Sequence, residues 1–387
     1  MLIGRKVTVL GAGIAGLTVA RALALRGAEV TVLEQADALR EVGAGVQISP
    51  NGVRVLKALG LGEAFAAVAP RGAAVELIDG QTGARVARMG LERGEYRFVH
   101  RGALISVLAE GARAAGVQVR LLQRIEKVRL GAHPPRLTTG QGAELEADLL
   151  IGADGLHSKV RAALNGPAMP FFTQMVAWRA LIAAEPDAAP VAQVFMAAGR
   201  HLVSYPLGGG LRNIVAVEER RRWVEESWSV TDDAISLRAA FEEFCPQVQG
   251  WLEQVEAPGL WGLHRHPVAV RWHANNAAIL GDAAHPTLPF LAQGAVMAME
   301  DAWVLAEKLS RHETTRAALS AYKAERAPRV SRIVETANRN ARNYHLGGAR
   351  RVLAHLGLRG VSAIAPRALL SRYDWVHGFD VTEGAGL

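Results

Sequence analysis

The segment Gly11-Ala-Gly13-Ile-Ala-Gly16 constrains this chain more than any other. It lies between an apolar run, Lys-Val-Thr-Val-Leu at 6–10, and a helical stretch from Ile14 to Arg26. Glu-Val-Thr-Val-Leu-Glu follows at 29–34, so residues 6–34 read as strand, glycine turn, helix and strand, a βαβ unit. Gly11 makes the tight turn, Gly13 lets the backbone approach a pyrophosphate, and Gly16 lets helix pack on strand. The positive end of the helix, with Ala15 in its first turn, then faces the phosphates. Glu34 closes the second strand, 18 residues beyond Gly16, where a carboxylate can accept bonds from a ribose. The bland alternative is a glycine-rich turn with no ligand. By itself the motif does not separate FAD from NAD.

At 387 residues the chain suits one large α/β body carrying a smaller one. Pro50 to Leu61 predicts a short helix opened by Ser49, and Arg101 to Ala115 a further helix followed by a strand from Val117 to Leu122. Leu145 to Ile151 is almost wholly apolar, as expected of a buried parallel strand. Alternation at Met175–Ala183, Val191–Met196 and His201–Tyr205 predicts an antiparallel sheet, with Gly208-Gly209-Gly210 as its hairpin turn. Ala277 to Leu280 reads as another buried strand, and Gln293–Leu309 and Thr315–Tyr344 as long helices. The expected fold is α/β, α+β overall: a Rossmann-type parallel-sheet body at 1–170 with 271–345, and an antiparallel-sheet body at 171–270. Residues 70–100 are a candidate addition to the second body, and a helical segment occupies 346–387.

Several function classes drop out on composition. Half the residues are apolar, yet no stretch is long and apolar enough to cross a membrane, and the glycine motif starts too near Met1 to leave room for a leader. A soluble, cytoplasmic protein is expected. The single cysteine, Cys245, precludes an intramolecular disulfide and reads as a packing residue. His264-Arg265-His266 lacks the spacing of convergent ligands, so no metal is expected. The net charge is +7, and the basic residues are spread out, with a concentration at Arg326, Arg329, Arg332, Arg339, Arg342, Arg350 and Arg351. A solvated helix face is the first reading of these arginines, a homodimer contact the second, and nucleic acid the last. A positive field also favours anionic substrates and a pyrophosphate cofactor.

Two more segments carry chemistry. In Asp148-Leu-Leu-Ile-Gly-Ala-Asp154-Gly155-Leu-His-Ser158 a buried strand runs into Asp-Gly, at the strand end where ligands of open α/β sheets bind. Asp154 reads equally as a turn-forming residue. In Gly281-Asp282-Ala-Ala-His285-Pro-Thr-Leu-Pro289-Phe-Leu-Ala-Gln293-Gly294-Ala295 a strand ends in Gly-Asp, and a proline-punctuated loop delivers a helix start. Such a start stabilises an anion.

Together, in this order, the three segments resemble the single-component FAD-dependent aromatic hydroxylases, typified by para-hydroxybenzoate, salicylate and 3-hydroxybenzoate hydroxylases. The resemblance covers essentially the whole chain. It implies that Gly11, Gly13, Gly16 and Glu34 hold the ADP part of a non-covalent FAD, with Asp154 and Gly155 serving both FAD and the nicotinamide donor. It further implies Asp282 on the flavin ribitol, Arg101 reaching the FAD, and Gly43-Ala-Gly45-Val46-Gln47 beside the flavin ring. Gly281, Pro289, Gly294 and Ala295 belong to the same implied cradle. Ala292 departs from the glycine found in many members, and the Ala-Gln-Gly it creates matches the salicylate-type branch.

His201-Leu-Val-Ser-Tyr205-Pro resembles the His-x-x-x-Tyr-Pro strand of the salicylate and 3-hydroxybenzoate branch. The implied roles are His201 as the base that deprotonates a phenol, with Tyr205 and Gln293 orienting the substrate. A structural histidine at a sheet edge is the alternative. The implied reaction takes electrons from NADH or NADPH, adds dioxygen to reduced flavin as a C4a-hydroperoxide, and hydroxylates a small aromatic substrate. Histidine suits the base because its ordinary pKa is near neutral. The competing readings are a nicotinamide-only dehydrogenase, a flavin oxidase, reductase or epoxidase acting on a non-aromatic substrate, and a non-catalytic FAD-binding protein.

Overall fold

Val7, Val9, Val30 and Val32 are β-branched, buried, and spaced two apart on neighbouring strands, which fits them to a sheet covered by helices. The computed structural model describes residues 2–39, 45–131, 134–220 and 232–384. Lys6–Leu10 pairs in parallel with Glu29–Leu33 on one side and with Leu150–Gly152 on the other. Ala277–Ile279 continues the ladder beyond Leu150–Gly152, again in parallel. The full order is His273–Ala274, Ala277–Ile279, Leu150–Gly152, Lys6–Leu10, Glu29–Leu33 and Gln118–Arg120. The three strands that run into the Gly11, Asp154 and Gly281 segments are therefore adjacent and parallel. Their carboxyl ends deliver all three segments to one edge, where ligands of such sheets bind.

The apolar run from Leu145 to Ile151 is not one strand. Glu144–Glu146 pairs antiparallel with Arg136–Thr139 in a small separate sheet, and only Leu150–Gly152 joins the parallel one. Glu144, Glu146 and Asp148 are exposed at every second position, so the first half has a wet face and behaves as a hairpin strand.

The second sheet has the order Gly259–Arg265, Phe171–Ala183, Leu211–Glu219, Arg200–Pro206, Val191–Ala197, Ala74–Asp79 and Arg85–Gly90. It is antiparallel except where Val191–Ala197 runs alongside Ala74–Asp79. The chain turns at Gly208–Gly210, with Gly209 and Gly210 in the left-handed region that glycine adopts without strain. One face, carrying Trp178, Phe195, Leu202 and Ala216, packs on the helices Ala234–Ala240 and Pro246–Glu253. Cys245 sits buried at the start of the latter helix. The opposite face looks towards the parallel sheet.

Helix Gly294–Arg311 is buried along most of its length between Ile14–Ala24 and the long helix Thr315–Tyr344. Here the solvated-face reading fails for Arg326 and Arg329, whereas Arg332, Arg339, Arg342 and Arg350 are exposed as it expects. Arg326 exposes no side-chain surface and pairs with Glu300 and Asp301, which expose none either. Arg329 also pairs with Glu300. A desolvated guanidinium needs such partners, and helix Gly294–Arg311 supplies them from inside the core.

Candidate active site

A cavity of about 1030 Å³ separates the two sheets. Its first wall is the glycine loop. A Cβ on Gly11 would fall 2.5 Å from the Ala153 carbonyl oxygen, and one on Gly16 would fall 1.9 Å from that of Gly11. No side chain fits at either position, so the loop lies flat against the neighbouring strand, behind the cavity wall. At Gly13 no protein atom lies within 4 Å of where a Cβ would be, and this residue lines the cavity with Ala15. Glu34 braces the loop from behind: its carboxylate accepts from the backbone N–H of Ala12 at 2.7 Å and of Ala36 at 2.9 Å.

The other two motif loops complete that wall. Gly155 lines the cavity at φ 71°, a conformation suited to glycine. The Asp154 carboxylate instead accepts from Ser158 Oγ at 2.5 Å and from the Lys159 N–H at 2.7 Å, at the start of helix Lys159–Asn165. Of the two readings of Asp154, this geometry is the turn-forming one. Gly281 sits behind the wall, donating its N–H to Asp301 Oδ2 at 3.1 Å, and this aims Asp282 into the cavity. Desolvation raises the Asp282 carboxyl above its usual range, against the pull of His285 and Arg101. Burial lowers Arg101, and the Asp282 charge offsets part of that. His285 is not at the cavity: it is buried against Asp301.

Pro289, Gly294 and Ala295 line the cavity, but Gln293 does not. Its amide donates to Ser49 Oγ at 2.9 Å and accepts from Asn51 Nδ2 at 3.2 Å, and Asn51 bonds Glu300 in turn. A side chain held this way anchors the loop, in place of the substrate-orienting role expected for it. Opposite, Gly45, Val46 and Gln47 form an edge of the cavity in the strand Gly45–Ile48; Gly43 lies outside the described residues. The Gly45 N–H donates to Asn213 Oδ1 at 2.7 Å, and a Cβ there would come 2.7 Å from the Tyr205 ring. Glycine is what lets this strand touch the second sheet.

The second wall is the free face of that sheet. Strand alternation puts Val194, Met196, His201, Val203, Tyr205 and Val215 on it. His201 is 1% exposed, stacks edge-on against Phe290, and has Nδ1 2.7 Å from His345 Nε2. Burial, and then His345, push its pKa well below the ordinary histidine value. That corrects the near-neutral pKa expected: His201 stands unprotonated at neutral pH. Tyr205 is buried with its ring centre 5.1 Å from that of Phe98, and burial raises its phenol pKa.

Arg179, on the same face, is a site residue that the sequence reading missed. It lines the cavity with its guanidinium 4.2 Å from the centre of the Trp261 ring. The contribution of the expected C-terminal helices to the cavity was missed as well. Tyr344, His355, Leu369, Tyr373 and His377 close the far end of the cavity, and Tyr96 packs edge-on to His377.

These residues fit an FAD. Gly13 leaves open a space that a pyrophosphate can fill at the start of helix Ile14–Ala24, Asp282 is an acceptor for a polyol, and the cavity is long enough to take an aromatic molecule besides. Among the described residues, no cluster of His, Cys, Asp and Glu could hold a metal.

Comparisons with known proteins agree with this geometry. Residues 5–337 match the family described as FAD binding domain. The 3-amino-4-hydroxybenzoate 2-monooxygenase of Streptomyces cremeus is 35% identical over 354 residues, 88% of each chain. The 3-hydroxybenzoate 6-hydroxylase of Polaromonas naphthalenivorans is 33% identical over 97% of this chain and 96% of its own. Among solved structures, a salicylate hydroxylase substrate complex superposes with a TM-score of 0.83 at 24% identity, over 98% of this chain and 96% of that one. HpxO of Klebsiella pneumoniae, complexed with FAD and uric acid, gives 0.83 at 25% identity over 95% of each chain.

Proposed function

Since this chain belongs to the FAD binding domain family and is an FAD-dependent monooxygenase, we propose that its substrate is a small phenolic acid, hydroxylated with NADH or NADPH and dioxygen. The observation that carries the reading is that Arg179 and His201 share one face of the second sheet, opposite the three cofactor loops. A cation and an unprotonated base on one wall of the cavity suit a molecule bearing both a carboxylate and a phenol. A substrate without an anionic group would leave the buried Nε of Arg179 without an acceptor.

Bound FAD supplies the redox chemistry, taking electrons from the nicotinamide and activating dioxygen. The chain's own residues do the rest. Gly13 would meet the ADP end in a loop that Gly11, Gly16 and Glu34 shape, while Asp282, Arg101 and the Gly45–Gln47 strand would hold the flavin end. Gly155 contributes backbone to the same cradle, and Asp154 shapes its turn. Arg179 takes the substrate carboxylate, and Tyr205 borders the ring. His201 accepts the phenolic proton, which moves electron density onto the ortho and para carbons where oxygen is added. Positioned proton transfer of this kind contributes about 10²–10⁴-fold. The apolar walls, with Val194, Val203 and Val215 among them, exclude water that would divert the activated oxygen.

We infer a cytoplasmic reaction, where reduced nicotinamide is available. The test is donor oxidation by the purified holoprotein against a panel of hydroxybenzoates, with product mass followed in parallel. One of them should speed oxidation and gain one oxygen. A yellow protein that no phenolic acid stimulates would contradict it.

A further inference from the structure

We propose that His345 and Glu219 form a proton relay that carries the phenolic proton from His201 to solvent. The inference rests on the hydroxylase reading above and adds two positioning residues to it. His201 Nδ1 lies 2.7 Å from His345 Nε2, and His345 Nδ1 lies 2.7 Å from Glu219 Oε1. The chain crosses from inside to outside: His201 is 1% exposed, the His345 side chain 3%, and the Glu219 side chain 57%.

The end group sets the direction of every bond. A carboxylate only accepts, so His345 Nδ1 carries a hydrogen and its Nε2 bears a lone pair. His201 Nδ1 must then be the donor, which leaves the lone pair of His201 Nε2 for the cavity. That nitrogen takes the phenolic proton, the Nδ1 proton of His201 passes to His345 Nε2, and the Nδ1 proton of His345 passes to Glu219 and on to water. The substrate is left as its phenolate and both rings are left neutral. When the product phenol re-forms, a proton returns by the same path and resets both tautomers.

The relay answers a physical difficulty. Burial holds both histidines below the ordinary value, so neither suits long storage of a positive charge. Passing the proton onward avoids a desolvated imidazolium. The surroundings keep the path open. Arg200 and Arg220 both pair with Glu218 and so leave Glu219 to His345, and Tyr344 and Phe290 pack against the His201 ring. The backbone fixes both ends, with Gly199 N–H donating to the His345 carbonyl and Glu219 N–H to that of Gly199.

The experiment follows phenolate formation on binding by the oxidised holoprotein, by stopped-flow absorbance, and coupled turnover, both as functions of pH. The probes are 3-hydroxybenzoate, 4-hydroxybenzoate and salicylate. Glu219→Gln, at an exposed position, should slow deprotonation and turnover by about 100-fold, the low end of what positioned proton transfer contributes. FAD content and KM should stay unchanged. Glu219→Asp should recover most of the rate, and added imidazole buffer should rescue Glu219→Gln, which a merely structural carboxylate would not allow. Normal deprotonation in both Glu219→Gln and His345→Gln would overturn the relay alone. A wild-type protein that none of the three probes stimulates would overturn the hydroxylase reading and the relay with it.

Discussion

The guanidinium of Arg179 lies over the Trp261 ring, 4.2 Å from its centre, and its Nε has no hydrogen-bond partner among the described residues. Burial first, and then the neighbouring Arg101, bring its pKa down to about 10, so it still carries its charge at neutral pH. The ring contact holds the guanidinium in place while Nε remains a donor for an anion. Hydrogen bonds to charged groups contribute about 1.5–3 kcal/mol, or roughly 10- to 100-fold in affinity. Arg179→Met should therefore raise KM for a phenolic carboxylate by that factor, with little change for the matching phenolic amide. An equal loss on both compounds in steady-state kinetics would remove Arg179 from carboxylate recognition.

Gly13 and Gly16 should fail in different ways when substituted. Gly13 faces open cavity, so Gly13→Val leaves the fold intact and fills the space expected to hold phosphate. The expected outcome is a colourless protein with an unchanged apo melting temperature. Gly16→Ala drives a methyl group into the Gly11 backbone, so the loop itself must move and the melting temperature falls along with FAD content. Flavin absorbance per chain and thermal unfolding separate the two.

The buried ion network should dominate stability around the Gly281-Asp282 loop. Burial alone would raise the Asp301 carboxyl, yet His285 and Arg326 hold it down to about 2. Arg326→Met leaves Glu300 and Asp301 as buried charges missing a partner, a change that typically costs about 3–5 kcal/mol. Chemical denaturation of the variant should show a loss of that size. Since Asp301 also receives the Gly281 N–H, FAD affinity should fall with it.

Acid should destabilise the protein partly through His377. Burial lowers its pKa from the ordinary 6.5 to about 4. Between those values the unfolded chain binds a proton that the folded one refuses, so stability is full above about 6.5 and is lost as pH falls towards about 4. His201 and His345 act in the same direction. Melting temperature should drop steadily over this range, and His377→Gln should flatten the slope. A slope unchanged in that variant would show that His377 titrates alike in both states.

Much of the cofactor half was legible in the sequence because parallel strands are short apolar runs that end in glycine turns. Lys6–Leu10, Leu150–Gly152 and Ala277–Ile279 announce themselves that way, and sheet order then brings their loops together. The same rule misled at Leu145, where acidic residues at alternate positions marked a hairpin strand before the parallel one. Arg326 looked like one of many surface arginines because its partners, Glu300 and Asp301, sit on another helix. Arg179 was hidden inside an alternating strand. The usable signal was its parity, since it shares a face with Ala177 and Leu181 where an apolar side chain would be expected. The His201, His345 and Glu219 chain had no local signal at all, because its members come from two strands and the end of a helix.

As an FAD-dependent aromatic monooxygenase, the protein should move one oxygen atom of dioxygen onto an aromatic ring in this cavity. The most direct test supplies the reduced holoprotein with isotopically heavy dioxygen and the hydroxybenzoate that best stimulates donor oxidation, then weighs the product. The expected result is one heavy oxygen atom in the ring hydroxyl and loss of that product in His201→Ala, while FAD stays bound. Donor oxidation that yields only hydrogen peroxide, with the aromatic compound recovered unchanged, would contradict it.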